Sequence, residues 1–77
     1  MRFYFNVRSD EGVDRDAEGI DLPSLNHAKG EAEKASREMV AELVLQRQTI
    51  DNMRFEITDE EGRVLATLPF KDAVRFD

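Results

Sequence analysis

The residues of this chain best placed to do chemistry are the run Asp14-Arg15-Asp16-Ala17-Glu18-Gly19 and the single histidine, His27. Alternating oxygen donors followed by glycine match the first half of a calcium loop, where carboxylates converge on a hard cation and the chain then turns sharply. The second half does not follow. The twelfth position counted from Asp14, where a bidentate carboxylate should close the shell, is Leu25, and no helix is expected before Asp14. The run therefore reads as a solvated acidic turn, with no metal assigned. A general base needs an orienting partner within hydrogen-bond reach. No cysteine or serine stands at a spacing from His27 that suggests a nucleophile, so His27 reads as a surface side chain near a helix start. Gly12, Gly19, Gly30 and Gly62 are dispersed, which leaves no glycine-rich loop to cradle a phosphate. Carboxylate pairs are inevitable among 17 acidic residues. A catalytic pair, however, needs a walled cleft that a core this thin can hardly supply. The expectation is a non-enzyme with no cofactor.

The elements that would have to position such groups follow from hydropathy period. Met1, Phe3, Phe5 and Val7 alternate with Arg2, Tyr4, Asn6 and Arg8, the period of a half-buried strand. Ser9 to Asp16 has the composition of an exposed turn, and Gly19 to Leu22 suits a short second strand with Ile20 and Leu22 inward. Ser24 is placed to cap a helix from about Leu25 to Gln46. Leu25, Ala28, Ala32, Ala35, Met39 and Leu43 form its apolar stripe, while Glu33–Arg37 and Lys34–Glu38 have i,i+4 spacing. The stripe begins with alanines and ends with larger residues, so the helix should lie close to its sheet at the start and further off at the end. Gly30 and Leu45 point away from the stripe. Met53, Phe55 and Ile57 alternate again, Asp59 to Gly62 predicts a type I turn with a glycine bulge, and Val64, Ala66, Leu68 and Phe70 face inward from a last strand. Pro69 cannot donate to a ladder and places that strand at an edge. Val74 and Phe76 are expected to pack back on the domain margin.

This pattern predicts one α+β domain over residues 1–77: two layers, one helix packed on a four-stranded antiparallel sheet, ββαββ. Keeping every neighbour antiparallel gives strand order 2-1-3-4. A chain of 77 residues is one domain and not two. It has no cysteine, so neither disulfides nor a thiolate zinc site can staple it.

Eleven basic against 17 acidic residues give a formal charge of −6, which works against general binding to nucleic-acid backbones. Neither a secretory leader nor a stretch of about 20 apolar residues is visible, so the expected setting is cytoplasmic, with no membrane partner. One surface stands out. With the helix on the Phe3/Phe5/Phe55/Ile57 side, the other face carries Arg2, Tyr4, Asn6, Arg8, Arg54, Glu56, Thr58, Leu65 and Thr67. A base-stacking sheet needs two or three aromatics, and only Tyr4 is there. Arg2, Tyr4, Arg54, Glu56 and Leu65 are therefore the candidate residues of a weak protein-contact face. The expected role is a small interaction or regulatory module with an unknown protein partner. The alternative is a nucleic-acid-binding or antitoxin-like regulator, which needs Arg2, Arg8 and Arg54 to act as one basic patch. A monomer is expected over a weak homodimer centred on Tyr4 and Leu65.

The segments Arg2-Phe3-Tyr4-Phe5, Glu18-Gly19-Ile20-Asp21-Leu22-Pro23, the alanine-rich helix, Arg54 to Asp59, Gly62-Arg63-Val64 and Leu68-Pro69-Phe70 together resemble one family of short bacterial proteins. It is classed only as a domain of unknown function, with a similar strand opening, an EGxDLP lead-in to the helix and a closing LPF. The resemblance spans nearly the whole chain, and it implies a stand-alone domain without assigning a site. A looser likeness to small strand-rich antitoxins lies in the opening strand and turn, but their DNA-binding segment has no counterpart here.

Overall fold

The computed structural model describes residues 1–73. Strand β1 (Arg2–Ser9) is followed by β2 (Gly12–Asp14), β3 (Ile20–Asp21), helix α1 (Leu25–Leu45), β4 (Arg54–Thr58), β5 (Val64–Pro69) and a short helix α2 (Phe70–Ala73). All strand pairs are antiparallel, in the order β2-β1-β4-β5, with β3 also paired to β1. One long helix on one open antiparallel sheet is the α+β arrangement the hydropathy pattern predicts. Taking β3 as the second strand, the order 2-1-3-4 holds as well. Val74 and Phe76 lie outside the described residues.

The sheet has one strand more than expected. Ser9 to Asp16 is not only a turn: Ser9 pairs with Gly12, Arg8 with Val13 and Val7 with Asp14, a hairpin closed by Asp10 and Glu11. Gly12 supplies the positive φ (129°) that this reversal requires. Half-buried Val13 is the one apolar residue in the stretch. Beyond Asp14 the edge breaks, and β3 rejoins β1 at Phe3 and Arg2. In an antiparallel strand alternate amides point to the same side. Phe3 and Val7 meet β3 and β2, so the Phe5 amide falls at the gap. Asp16 fills it, Oδ2 accepting from the Phe5 N–H at 3.2 Å. Its other oxygen takes the Glu18 and Gly19 amides, both at 3.1 Å, and its own N–H donates to Asn6 Oδ1 at 2.9 Å. Gly19 has φ 70°, and a Cβ there would stand 2.9 Å from the Tyr4 ring and 3.0 Å from the Phe3 carbonyl, so the position admits no side chain. Ile20, expected inward, lies opposite Phe3 on the outermost strand and is 47% exposed.

Ser24 caps α1 as its chemistry suggests, its hydroxyl accepting from the His27 N–H. The buried ridge is Ala28, Ala32, Ser36 and Val40, with Leu25, Ala35, Met39 and Leu43 half-buried beside it. Ser36 escapes an apolar pattern because it is polar; its hydroxyl donates to the Glu33 carbonyl at 2.8 Å and so is satisfied without water. Glu33–Arg37 forms its ion pair at 3.3 Å, whereas among the described residues Lys34 and Glu38 form none. At the other end the Arg47 and Gln48 amides donate back to the Val44 and Leu43 carbonyls, closing the helix with Arg47 at φ 60° where glycine is usual.

The core joins Phe3, Ala28, Ala32, Val40, Phe55, Ile57 and Phe70. Phe70 is buried as expected, but as the first residue of α2 and not as the end of a strand. Its amide donates to the Met53 carbonyl at 2.9 Å, and its ring lies 5.0 Å from that of Phe55. The Asp59–Gly62 turn is as predicted: Gly62 has φ 83°, its amide donates to the Asp59 carbonyl, and Asp59 Oδ1 accepts from Glu61 and Arg63. Pro69 ends β5 on the sheet edge.

Candidate interaction site

Register settles what the face away from α1 presents. Tyr4 is opposite Thr58, Asn6 opposite Glu56 and Arg8 opposite Arg54. Two arginines directly across a ladder repel. Glu56 relieves this by standing between them, Oε1 3.0 Å from Arg8 Nε and Oε2 3.7 Å from Arg54 Nε. Arg2 pairs with Asp21 at 3.3 Å. The three basic residues thus do share a face, but each is already committed to a carboxylate.

The rest of that face is less open than alternation suggests. Asn6 and Thr58 are buried, and Tyr4 is half-buried. The cause is the loop from Arg15 to Gly19, which bonds to Asn6 and lies against the Tyr4 ring. Leu65 falls at the register shift opposite Ile57 and Thr58, where it is half-buried and packs against the core cluster. Tyr4 and Leu65 are not on adjacent strands, since β4 lies between β1 and β5. The geometry needed for a Tyr4–Leu65 centre of a homodimer is therefore missing. Of the five candidate residues, the structure joins Arg54 to Glu56, sets Arg2 and Tyr4 beside the loop, and turns Leu65 toward the core.

The acidic run is built for backbone donors. Burial pushes the Asp16 carboxyl up, but the Gly19, Phe5 and Glu18 amides and the charge of Arg2 outweigh it and hold the group below the ordinary aspartate value. Among the described residues no group of three or more His, Cys, Asp or Glu converges as metal ligands do. His27 does find a serine: Nδ1 lies 2.9 Å from Ser24 Oγ, because a capping residue and the third residue of its helix are neighbours. The pair is at an exposed helix start and has no third, orienting group in hydrogen-bond contact among the described residues.

A concave feature lies elsewhere. α1 packs against β4, β5 and α2, and the helix-side residues of β1, Phe5 and Val7, remain half-exposed. Between the second half of α1, the β1–β2 hairpin and the segment before β4 opens a groove of about 720 Å³. Its floor is apolar: Val7, Met39, Leu43 and Met53. One wall carries Asp10, Glu11 and Asp14, and among the described residues no basic one lines it. Asn52 Nδ2 donates to Asp10 Oδ2 at 3.0 Å, tying the hairpin to the opposite bank. Beside the groove α1 ends in Val44, 59% exposed, and Leu45, 84% exposed. The sequence signal for this groove was the enlargement of the helix stripe from alanine to Met39 and Leu43; the wall came from a hairpin the sequence did not announce.

A single long helix over an open, edge-broken antiparallel sheet, with a lateral groove, defines a small two-layer α+β domain. The chain belongs to the family described as Domain of unknown function (DUF6894), whose sequence profile covers residues 2–71. No curated protein and no solved structure matches it. No helix among the described residues is long and apolar enough to cross a membrane.

Proposed function

We propose that this domain is a non-enzymatic interaction module that engages a protein partner through the groove beside the second half of α1. One observation carries the reading. Met39 and Leu43, on the apolar stripe of the second half of the helix, are only half covered and both line the groove, and the exposed Val44 and Leu45 follow them at the same end of the helix. The pairing of Arg2, Arg8 and Arg54 with Asp21 and Glu56 supports a protein partner over a phosphate backbone, since counterion release needs uncommitted cations.

A photo-crosslinking residue tests this in the cells that make the protein. Installed in turn at Leu43 and at Gly30, on the exposed flank of the same helix, it should give a discrete adduct from Leu43 and none from Gly30. Equal labelling from both positions, or none from either, refutes the module reading.

A further inference from the structure

We infer that the groove is shaped for a cationic amphipathic helix of a partner protein, its apolar face on Met39, Leu43 and Met53 and its Lys or Arg residues against Asp10, Glu11 and Asp14. The inference rests on the module reading above and adds the chemistry of the partner to it. Among the described residues, every salt bridge on the open sheet face is made within the chain, whereas Asp10, Glu11 and Asp14 form none. Three carboxylates on one wall, with no cation in the lining, leave a local negative potential that a partner would neutralise. Among the described residues only Asp10 of the three has a side-chain partner, the neutral Asn52 amide.

The floor argues for a helix. Two of its four apolar residues are methionines, unbranched and polarizable, which adapt to the uneven ridge of an incoming helix better than a branched surface does. Strand addition is the other common mode, and it needs a free run of ladder. The outer edge beside the groove is β2, of three residues, and the gap beyond it is already filled by Asp16. A groove between a helix and a hairpin, apolar below and charged on one bank, takes anchors at i, i+3, i+4 and i+7 with a charged flank.

The probe is a Leu/Lys peptide of about 14 residues, roughly four helical turns, with its leucines on one face. Two controls accompany it: the same composition scrambled so that no face forms, and a Leu/Glu version of the ordered peptide. Titrated into the 15N-labelled full chain, the ordered Leu/Lys peptide should shift the amides of Met39, Leu43, Met53 and Asp14. The scrambled peptide should bind about ten-fold more weakly or worse, and the Leu/Glu peptide should not bind. The double variant Glu11→Lys/Asp14→Lys, whose retained fold its own spectrum verifies, should lose affinity about ten-fold and should restore binding of the Leu/Glu peptide. Shifts centred on Arg54 and Glu56, or equal affinity for ordered and scrambled peptides, overturn the inference. If the peptide fails while the Leu43 crosslink persists, the partner is of another chemistry and the module reading stands; if the crosslink fails as well, both fall.

Discussion

The two halves of α1 invert the usual relation between size and burial. In the first half, Ala28 and Ala32 are completely buried and Leu25 is half covered; in the second, Ser36 and Val40 are buried but Met39 and Leu43 are only half covered, and Val44 and Leu45 face solvent. Small side chains let a helix backbone approach its sheet, and larger ones hold it off. The first half is therefore sealed by close approach of its alanines onto the core, while the second stands off and leaves the groove over Val7 and Met53. Exposed apolar groups cost a small domain burial it can ill spare. Their collection at one end of one helix is the difference that points to a binding role.

The largest effect is expected in the core that α1 covers. Phe70→Ala empties a fully buried site against Phe55 and should lower stability by about 3–5 kcal/mol, read from urea unfolding. A loss below about 1 kcal/mol would mean that this core is not tightly packed. Next is Ala32→Leu, which should cost about 1–3 kcal/mol by overpacking, although leucine is nearly as good a helix former as alanine.

The edge that carries the chain into the sealed half has a pH dependence of its own. Because the folded Asp16 carboxyl is held below its ordinary value, its contribution is fully present above the unfolded value of about 3.9. It is lost as pH falls further, through the folded value. Asp16→Asn, which gives up an acceptor for Phe5 or for the Glu18 and Gly19 amides, should cost about 1–3 kcal/mol at neutral pH. The gap from the parent should narrow on acidification below about pH 4; a gap independent of pH from 6 to about 2 would remove the carboxylate from this role.

The open half should respond weakly, or in the opposite direction. Arg47→Gly relieves a left-handed side-chain-bearing residue and should stabilise by about 1 kcal/mol. Leu45→Ser should stay within about 0.5 kcal/mol of the parent, as an exposed position does. A larger loss at Leu45 would place it in an intramolecular contact and weaken the contrast between the halves.

What was readable in the residues, and what was not, divides along the range of the forces involved. β1, α1, β4 and the Asp59–Gly62 turn announce themselves because each has enough residues for its period or turn chemistry to repeat. Three-residue β2 carries one apolar residue, Val13, too few for a period to exist. Phe70 points inward whether it ends a strand or begins a helix, so burial alone could not tell the two apart. Alternation puts Arg2, Tyr4, Arg54 and Glu56 on one face, but their pairing depends on register, which alternation along one strand does not contain. Strict alternation from Val64 and Ala66 puts Leu65 outward, but a bulge beside Ile57 and Thr58 resets alternation there. The groove depends on where α1 settles laterally over the sheet, a long-range docking outcome with no local spacing of its own.

The Asp16 bridge also gives the molecule a clock. A strand amide normally exchanges its proton for solvent deuterium only when a neighbouring strand lifts away. The Phe5 amide is held instead by one rotatable carboxylate. Its exchange can proceed by a side-chain rotation, with β1 still paired to β4 through Phe5 and Ile57. The Phe5 proton therefore times the opening of a single loop, on a scale separate from the buried amides of β4, which time the unfolding of the whole domain.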